Sequence, residues 1–476
     1  MNETEKKTTV FITGASGHMG RETVEYLLNF SSFNIRTLVL GGRSDRRFLR
    51  RYGRCSRLEI VRGDIRDIGI LSEAVRGSDY VLHLGAIIPP AADLDPDLTS
   101  AVNYGGTLNV IRAIKMQPEP DNIRLVYIAT VASMGNRPAP IHWGRAGDPI
   151  KVSRFDAYAV SKVKAERAVM ESGLRYWVSI RQSGMLHSEL LSILDPIIFH
   201  QPLDNHIEWS TAEDSARALG RICTGDIPDQ FWRRVYNLGS GPEFRETYYD
   251  FCKNIFSRMG IRNIHRLLSP REFATRNFHC VWYSDSDELE SLLNFRKSSY
   301  EGFLRSLKIP FYYRFAPIVP VSLLRRLLFR PLGRRLDGPM HWIEHNLTDR
   351  IKAYWGSREN WENIPEDWGD IHIDRVPDSV EVLHGWNERP DDGAITIDDC
   401  RQAAAFRGGL CLSSSMETGD VFTELRWRCG CGNEFTASPN LVLRGGHWCP
   451  LCDTDVSRYD RQSELSMFFA QVYENG

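Results

Sequence analysis

The sequence has few cysteines, almost no charge imbalance and no long apolar run. Ten cysteines in 476 residues are too few for a disulfide-stabilised scaffold, which is dense in cysteine. The 59 lysines and arginines nearly balance the 61 aspartates and glutamates, and the net charge of −2 predicts no general attraction to nucleic acid or anionic membranes. No run of 18 apolar residues is present, so a transmembrane helix is not expected.

The N-terminal residues MNETEKK also lack the apolar core of a secretory signal, and the cytoplasm is therefore the expected compartment. Hydrophobic residues make up 42% of the chain and charged residues 25%. This composition is typical of a globular protein that buries enough apolar surface to offset chain entropy. The length corresponds to about three average domains.

The first 180 residues alternate short apolar runs with helical patterns. The alternation, with nearly continuous apolar strands, predicts a parallel sheet covered by helices on both faces, which is an α/β fold of the doubly wound Rossmann type. Helical spacing is clearest at 99–116 and 158–172. The predicted strands are 8–14, 35–41, 58–64, 80–85, 124–130 and 175–182.

The pattern loosens after residue 183, which predicts a smaller α+β substrate region at 183–310 within a first domain of 1–310. Residues 311–395 read as a connector, and a small module follows at 396–476. Within the connector, 317–335 mixes leucines with five arginines. An amphipathic segment that touches a membrane, a lipid-like substrate or an acidic partner has this composition. We favour the alternative, in which Leu323, Leu324, Leu327 and Leu328 pack on the main domain and the arginines face solvent.

The sequence TGASGHMG follows the first predicted strand and opens a helix, with Gly14, Gly17 and Gly20 at regular spacing. Glycines permit a tight turn and close backbone approach, and the helix N-terminus offers free N–H groups to a pyrophosphate. The second strand ends in Gly-Gly-Arg43-Ser, without the acid that would bind ribose hydroxyls. Arg43 can pair with a 2′-phosphate, so NADP is favoured over NAD. A surface position for Arg43 is the alternative.

Tyr158 and Lys162 form a YxxxK pair one turn apart on a predicted helix. A tyrosine serves as acid or base in carbonyl reduction if its phenol pKa falls from about 10, and a neighbouring ammonium favours the phenolate. Thr130 ends the fifth strand, at the sheet edge where α/β proteins bind ligands. Its hydroxyl can hydrogen-bond the substrate oxygen.

The order of these motifs resembles the extended short-chain dehydrogenase/reductases, which include nucleotide-sugar epimerases, 3β-hydroxysteroid dehydrogenases and dihydroflavonol reductases. The resemblance implies that Thr130, Tyr158 and Lys162 are catalytic and that Asn103 is architectural. It is carried by TGASGHMG (13–20), GDIRD (63–67), HLGA (83–86), VNYGGTLNV (102–110), YIATVASMG (127–135) and YAVSK (158–162). Together with Arg43, it gives as cofactor-binding residues Gly14, Ser16, Gly17, His18, Met19, Gly20, Asp64, Ile65, Leu84, Gly85, Ala86, Tyr158 and Lys162. For Asp64, a helix cap is the alternative to an adenine contact.

Two departures from the family pattern bear on the substrate. Val131 and Ala132 stand where the family's sugar-nucleotide dehydratases carry an Asp-Glu pair, which disfavours dehydration. The stretch 180–186 lacks the usual Arg-x-x-Asn-x-Tyr-Gly-Pro pattern, and the apolar residues of 280–315 suit a less polar substrate or a core. We expect an NADP-preferring oxidoreductase that moves hydride between nicotinamide and a carbonyl or secondary alcohol. An epimerase that retains NAD and a non-catalytic NADP-sensing protein are the alternatives, and a homodimer is common in the family.

The C-terminal module carries Cys429-Gly-Cys431 and Cys449-Pro-Leu-Cys452. Two thiolate pairs on tight turns predict a tetrahedral structural zinc site, with no open position for catalysis. A module this small has a thin core, so the metal would supply folding energy. The segment 403–452 resembles zinc-ribbon and treble-clef modules. It is expected to be a structural or protein-docking unit, and nucleic-acid binding is the less favoured alternative.

Overall fold

A computed structural model describes residues 7–137, 139–313, 318–376, 378, 380–388 and 395–473. The first six residues, Pro317 and parts of the connector lie outside the described residues. The strands are β1 Thr9–Thr13, β2 Asn34–Val39, β3 Leu58–Arg62, β4 Tyr80–His83, β5 Arg124–Thr130, β6 Trp143–Gly144, β7 Tyr176–Gln182, β8 Met185–Leu186, β9 His206–Glu208, β10 Ser210–Thr211, β11 Arg234–Leu238, β12 Arg245–Thr247, β13 Trp282–Tyr283, β14 Leu410–Cys411, β15 Leu425–Arg428 and β16 Glu434–Ala437.

The helices are short to medium in length and separate most of the strands. No helix in the described ranges is both long and apolar enough to cross a membrane. The helices are α1 His18–Phe30, α2 Arg43–Tyr52, α3 Ile68–Val75, α4 Ala91–Leu94, α5 Pro96–Ser100, α6 Gly106–Lys115, α7 Ala157–Met170, α8 Ala212–Thr224, α9 Tyr248–Arg258, α10 Ser286–Leu293, α11 Tyr300–Ser306, α12 Val321–Leu324, α13 Arg330–Gly333, α14 Pro339–Glu344, α15 Thr348–Trp355, α16 Arg358–Glu362, α17 Ile397–Phe406, α18 Tyr459–Leu465 and α19 Met467–Ala470.

Seven strands form one parallel sheet in the order β11-β7-β5-β4-β1-β2-β3, which confirms the predicted Rossmann-type fold. Side chains alternate between the faces, so Val10 and Ile12 enter one core cluster while Phe11 enters the other. Both faces are therefore covered by helices. The strand order reverses between β1 and β4, which is the position where such sheets bind ligands at their carboxyl edge.

The substrate region and the start of the connector share a second core. It is built from residues of 186–332 and is rich in phenylalanine. The arginine-rich segment 318–336 packs on this core through Leu324, Phe329 and Leu332. This confirms that the segment packs on the main domain, but Leu323 and Leu327, expected on the packed face, are exposed. Leu327 lies in a π-helical turn at Arg325–Phe329, which departs from the regular helical spacing on which the expectation rested, and Leu323 lies just before that turn.

The C-terminal residues 395–473 form a compact unit around β14, β15 and β16. Their core is continuous with one face of the main sheet, because Trp427, Trp448 and Cys449 lie in the same cluster as Val169 and Trp177. The unit packs directly against α7 and β7. The surface of the unit on that side is therefore buried against the main domain.

Candidate active site

A cleft of about 740 Å³ runs along the carboxyl edge of the sheet. It brings together almost every residue that the sequence singled out, although those residues come from widely separated parts of the chain. The predicted residues that line the cleft are Gly14, Ser16, Gly17, His18, Met19, Gly20, Asp64, Ile65, Leu84, Gly85, Ala86, Thr130, Tyr158 and Lys162. Arg43 is exposed at the start of α2 and does not line the cleft.

Close backbone contacts require glycine at two positions of the turn after β1. Gly14 has a φ of +72°, and a Cβ there would lie 2.7 Å from the Gly85 nitrogen. A Cβ on Gly20 would lie 2.3 Å from the Gly14 oxygen. Only glycine fits at these positions, and the turn leaves the N-terminus of α1 facing the cleft, where its free N–H groups suit a phosphate.

His83 fixes the opposite wall of the turn, a role that the sequence did not reveal. Its ring hydrogen-bonds Thr13 at 2.8 Å and Thr107 at 2.9 Å, and Thr13 Oγ1 accepts a hydrogen bond from Gly85 N at 3.0 Å. Burial lowers the pKa of His83 to about 3, so the ring is neutral. The only sequence signal is a polar residue at a buried strand end.

Tyr158, Lys162 and Thr130 meet at one end of the cleft. Burial raises the pKa of Tyr158 to about 12, although the neighbouring Thr130 side chain acts to lower it. Lys162 Nζ donates to the Ile128 carbonyl and lies 4.1 Å from the centre of the Tyr127 ring. Burial lowers the pKa of Lys162 to about 7, against the charge of Glu166, which raises it.

The local folding explains how α7 presents these side chains. Asp156 caps the helix by accepting a hydrogen bond from Ala159 N at 2.7 Å. Buried Asn103 bonds both the backbone of Ile87, at 2.8 and 2.9 Å, and Ser161 Oγ at 3.0 Å. Asn103 therefore joins α7 to the loop after β4. This placement matches the architectural role that the resemblance implied.

The other end of the cleft carries two carboxylates, Asp45 and Asp64, and one arginine, Arg66. Asp45 is buried and accepts hydrogen bonds from Gly41 N at 2.6 Å and Gly42 N at 3.0 Å. It lines the cleft, and sequence reasoning missed it because it lies within α2 rather than at the strand tip. Asp64 pairs with Arg66 at 2.6 Å, which lowers the pKa of Asp64. Asp67, not Asp64, caps α3.

An apolar cavity of about 290 Å³ adjoins the cleft, and both are lined by Gly184 and His279. His279 Nδ1 lies 3.5 Å from Asp156, beside the first turn of α7. Gln201 is the main polar side chain deeper in, and its Nε2 has no hydrogen-bond partner among the described residues. The lining is otherwise dominated by side chains such as Leu191, Ile197, Trp209, Phe251, Phe256 and Phe329.

The four cysteines of the C-terminal unit converge as predicted. Their Sγ atoms all lie within 4.8 Å of one another, with Cys429 to Cys452 at 4.0 Å and Cys431 to Cys449 at 3.8 Å. Sulfurs about 3.8 Å apart are what tetrahedral zinc with Zn–S bonds of about 2.3 Å requires. The donor set therefore fits a structural zinc ion.

This unit contacts α7 and β7 through polar bonds that are mostly buried. His447 Nε2 lies 3.1 Å from Glu166 Oε2, and Arg181 donates to Gly445 O at 2.7 Å. Further along α7, Arg167 donates to Trp448 O at 3.0 Å. Glu166 also pairs with Arg181 at 2.9 Å. Glu166 is one helical turn beyond Lys162, so the unit is bonded to the helix that carries the candidate catalytic residues.

Comparison with known proteins assigns the fold. Residues 11–181 match the 3-beta hydroxysteroid dehydrogenase/isomerase family. The 3beta-hydroxysteroid-dehydrogenase/decarboxylase isoform 2 of Arabidopsis thaliana is 25% identical over 178 residues, covering 36% of this chain and 31% of the relative. L-arabinose 1-dehydrogenase (NAD(P)(+)) of Haloferax volcanii is 35% identical over 121 residues, covering 25% and 40%. The chain thus spans less than half the length of these relatives.

Solved structures agree on the architecture. The dTDP-glucose 4,6-dehydratase DesIV of Streptomyces venezuelae, with NAD and TYD bound, has a TM-score of 0.52 at 20% identity. That match covers 68% of this chain and all of the other. WbmH of Bordetella bronchiseptica, in complex with NAD+, has a TM-score of 0.50 at 21% identity, covering 64% and 98%. At this identity the likeness shows the fold alone.

Proposed function

We propose that this chain, whose N-terminal part has the fold of the extended short-chain dehydrogenase/reductases, is an NAD(P)-dependent oxidoreductase that acts on a carbonyl or secondary alcohol. The observation that carries the proposal is the convergence of Thr130, Tyr158 and Lys162 at one end of a cleft whose other end is the glycine turn. A dinucleotide held at that turn would place its reactive ring beside the trio. When bound, the nicotinamide supplies or accepts the hydride.

Each member of the trio has a distinct task in this proposal. Tyr158 gives its phenol proton to the forming alkoxide, or removes the proton of an alcohol, while Thr130 holds the same substrate oxygen. Lys162 already donates to Ile128 O and has two further N–H groups, which suit the hydroxyls of the nicotinamide ribose. Burial raises the Tyr158 pKa, so the protonated phenol is the resting state and carbonyl reduction starts from it.

For the cofactor, the buried carboxylate of Asp45 favours NAD over NADP, since Arg66, which also lines the cleft, is paired with Asp64. The sequence expectation of NADP depended on Arg43, which is exposed and outside the lining. Asp45 lines the cleft, and a carboxylate there repels a 2′-phosphate. The structural neighbours named above were solved with NAD. Comparing kcat/KM for NADH and NADPH tests this preference.

For the substrate, the adjoining apolar cavity favours a compound with a largely apolar body over a nucleotide sugar. Its lining offers almost no partners for sugar hydroxyls, and unpaired polar groups are costly to bury. This disfavours the epimerase alternative, which would also retain NAD through desalting. Intact Thr130, Tyr158 and Lys162 disfavour a purely sensing role. A structural zinc in the cysteine cluster, a homodimer, a cytoplasmic location and a docking partner for the module stay predictions.

The decisive experiment is single-turnover oxidation of NADH and NADPH across a panel of ketones. Tyr158→Phe is expected to lower the rate on any active substrate by about a hundredfold or more, as loss of a general acid does. Tyr176→Phe is a matched control, because Tyr176 begins β7 at the opposite edge of the sheet. Full activity of Tyr158→Phe would refute the mechanism.

A further inference from the structure

The segment 318–336 presents two different faces. It contains five arginines and no acidic residue. Leu324, Phe329 and Leu332 are buried in the core of the substrate region. On the outer side Leu323 is 42% exposed, Leu327 62% and Leu336 80%. Exposed leucines are common singly, but Leu323 and Leu327 lie four residues apart in one helical segment, so they share a face that no described part of the chain covers.

The arginines on this surface are only partly neutralised. Arg325 lies 3.4 Å from Glu272 and Arg334 lies 2.6 Å from Glu344. Arg326 and Arg330 are exposed, and neither forms an ion pair with an acid in the part of the chain that the structure describes. We call Leu323, Arg326, Leu327 and Arg330 the basic face. It combines exposed leucines with exposed positive charge, in a protein whose overall charge is close to neutral, and the Arg330 charge also acts on Glu272, whose pKa burial raises and this charge lowers.

The basic face forms the outer surface of the apolar cavity's wall. Phe329, on the inner side of the same segment, lines that cavity. Ile193 lines it as well and is 45% exposed, so the cavity approaches the surface there. The next residue, Leu194, accepts a hydrogen bond from Arg335 at 3.2 Å. The place where the cavity approaches the surface, at Ile193, is therefore hydrogen-bonded through Leu194 to segment 318–336.

We propose that the basic face docks the protein reversibly on the surface of an anionic phospholipid membrane. The basic face carries leucines and arginines and no acidic residue. Its leucine side chains suit the boundary between headgroups and acyl chains, and its arginine side chains suit the lipid phosphates. Charge complementarity selects this occupant over a neutral apolar partner. The docking does not depend on the proposed reaction. If that reaction is also correct, the docked orientation brings the cavity wall to the bilayer, from which an apolar substrate can enter.

Vesicle co-sedimentation of the full chain tests the proposal without any turnover. Binding is expected to vesicles of phosphatidylcholine with phosphatidylserine, to weaken as salt is raised, and to be lost with phosphatidylcholine alone. Arg326→Ala combined with Arg330→Ala is expected to lower the affinity about 25-fold, at about fivefold for each arginine. Leu327→Ser is expected to weaken binding without changing its salt dependence, because it removes only apolar contact.

Arg426→Ala combined with Arg428→Ala is the matched control. These arginines are exposed on β15, in the C-terminal unit, and pair with Glu434. The control removes the same charge and is expected to retain vesicle binding. Equal affinity of the two double variants, or no preference for the anionic vesicles, would overturn the proposal, as would binding to RNA or to a protein at this face instead. Circular dichroism and thermal unfolding identify any variant that fails to fold, and in that case Leu327→Ser decides.

Discussion

Replacing Glu166 with glutamine is expected to move the pH dependence of turnover, although Glu166 lies outside the cleft lining. Its carboxylate is buried one helical turn beyond Lys162. Burial lowers the Lys162 pKa to about 7, and the charge of Glu166 is what opposes a further fall. The substitution keeps the shape of the side chain and an oxygen that accepts hydrogen bonds from Arg181, but it removes the negative charge.

The size of the effect follows from the helical spacing. Side chains four residues apart on a helix are about 6 Å apart. Two unit charges at that distance interact by about 3 kcal/mol at an effective dielectric constant of about 20. Because about 1.4 kcal/mol corresponds to one pKa unit, Lys162 in the variant should lose its proton about one to two pH units lower. The ammonium that supports the phenolate is lost as pH rises through the Lys162 pKa, so activity should decline at lower pH than in the native protein.

The assay is kcat against pH for oxidation of an alcohol identified in the substrate screen. Ser179→Ala is the control, because the Ser179 hydroxyl donates to Glu166 at 2.7 Å and its loss disturbs the same network without changing charge. Thermal unfolding separates loss of fold from loss of charge, since both variants weaken buried bonds. The reasoning is refuted if the alkaline limb of Glu166→Gln stays in place, or if Ser179→Ala moves it equally.

Three further outcomes are expected. Asp45→Asn keeps a hydrogen-bond acceptor but removes the charge, so the ratio of kcat/KM for NADPH over NADH should rise about tenfold. An unchanged ratio would mean that the 2′-hydroxyl of the adenosine ribose does not bind beside Asp45. Cys449→Ser should lower the bound zinc, measured by metal analysis, and the free energy of unfolding by about 5 kcal/mol or more. Burial acts to raise the Glu166 pKa, but Arg181 and His447 hold it below its usual range. This stability is present above the unfolded pKa of about 4.3 and is lost as pH falls through the folded value, so denaturant midpoints should fall in acid, and less so in Glu166→Gln.

The parallel sheet could be predicted because each strand is an almost unbroken apolar run with glycine or a polar residue at its end. The motifs at those ends were therefore assigned to one sheet edge, and the cleft lies there. Thr130 illustrates the logic, since a threonine at a buried strand tip has few roles apart from facing the ligand edge. The exact bounds of α2 and α3 were less accessible, because charged residues such as Asp64 and Asp67 both fit a helix start.

What the sequence did not reveal depends on contacts between distant segments. Asp45 is the single acid of the arginine-rich stretch 43–57, and the pattern of that stretch does not show that the backbone turn at Gly41 and Gly42 draws its carboxylate into the cleft. Arg43 was given a role that its exposed position does not favour. His83 is distinguished only by its two threonine partners, which are 70 and 24 residues away in the chain.

The least predictable feature is that segments outside the Rossmann sheet contact both ends of α7, the helix that carries Tyr158 and Lys162. Before α7, Asn277 accepts a hydrogen bond from Arg154 N at 2.7 Å and Arg350 stacks on Phe155 at 3.8 Å. At the other end, the cysteine-bearing unit bonds α7 through His447. A unit that only presented a surface to other molecules would have no need to bury His447 against Glu166, whose charge acts on Lys162. Removal of zinc should therefore lower kcat as well as the free energy of unfolding. The fall in kcat should be measurable under conditions in which the chain is still folded.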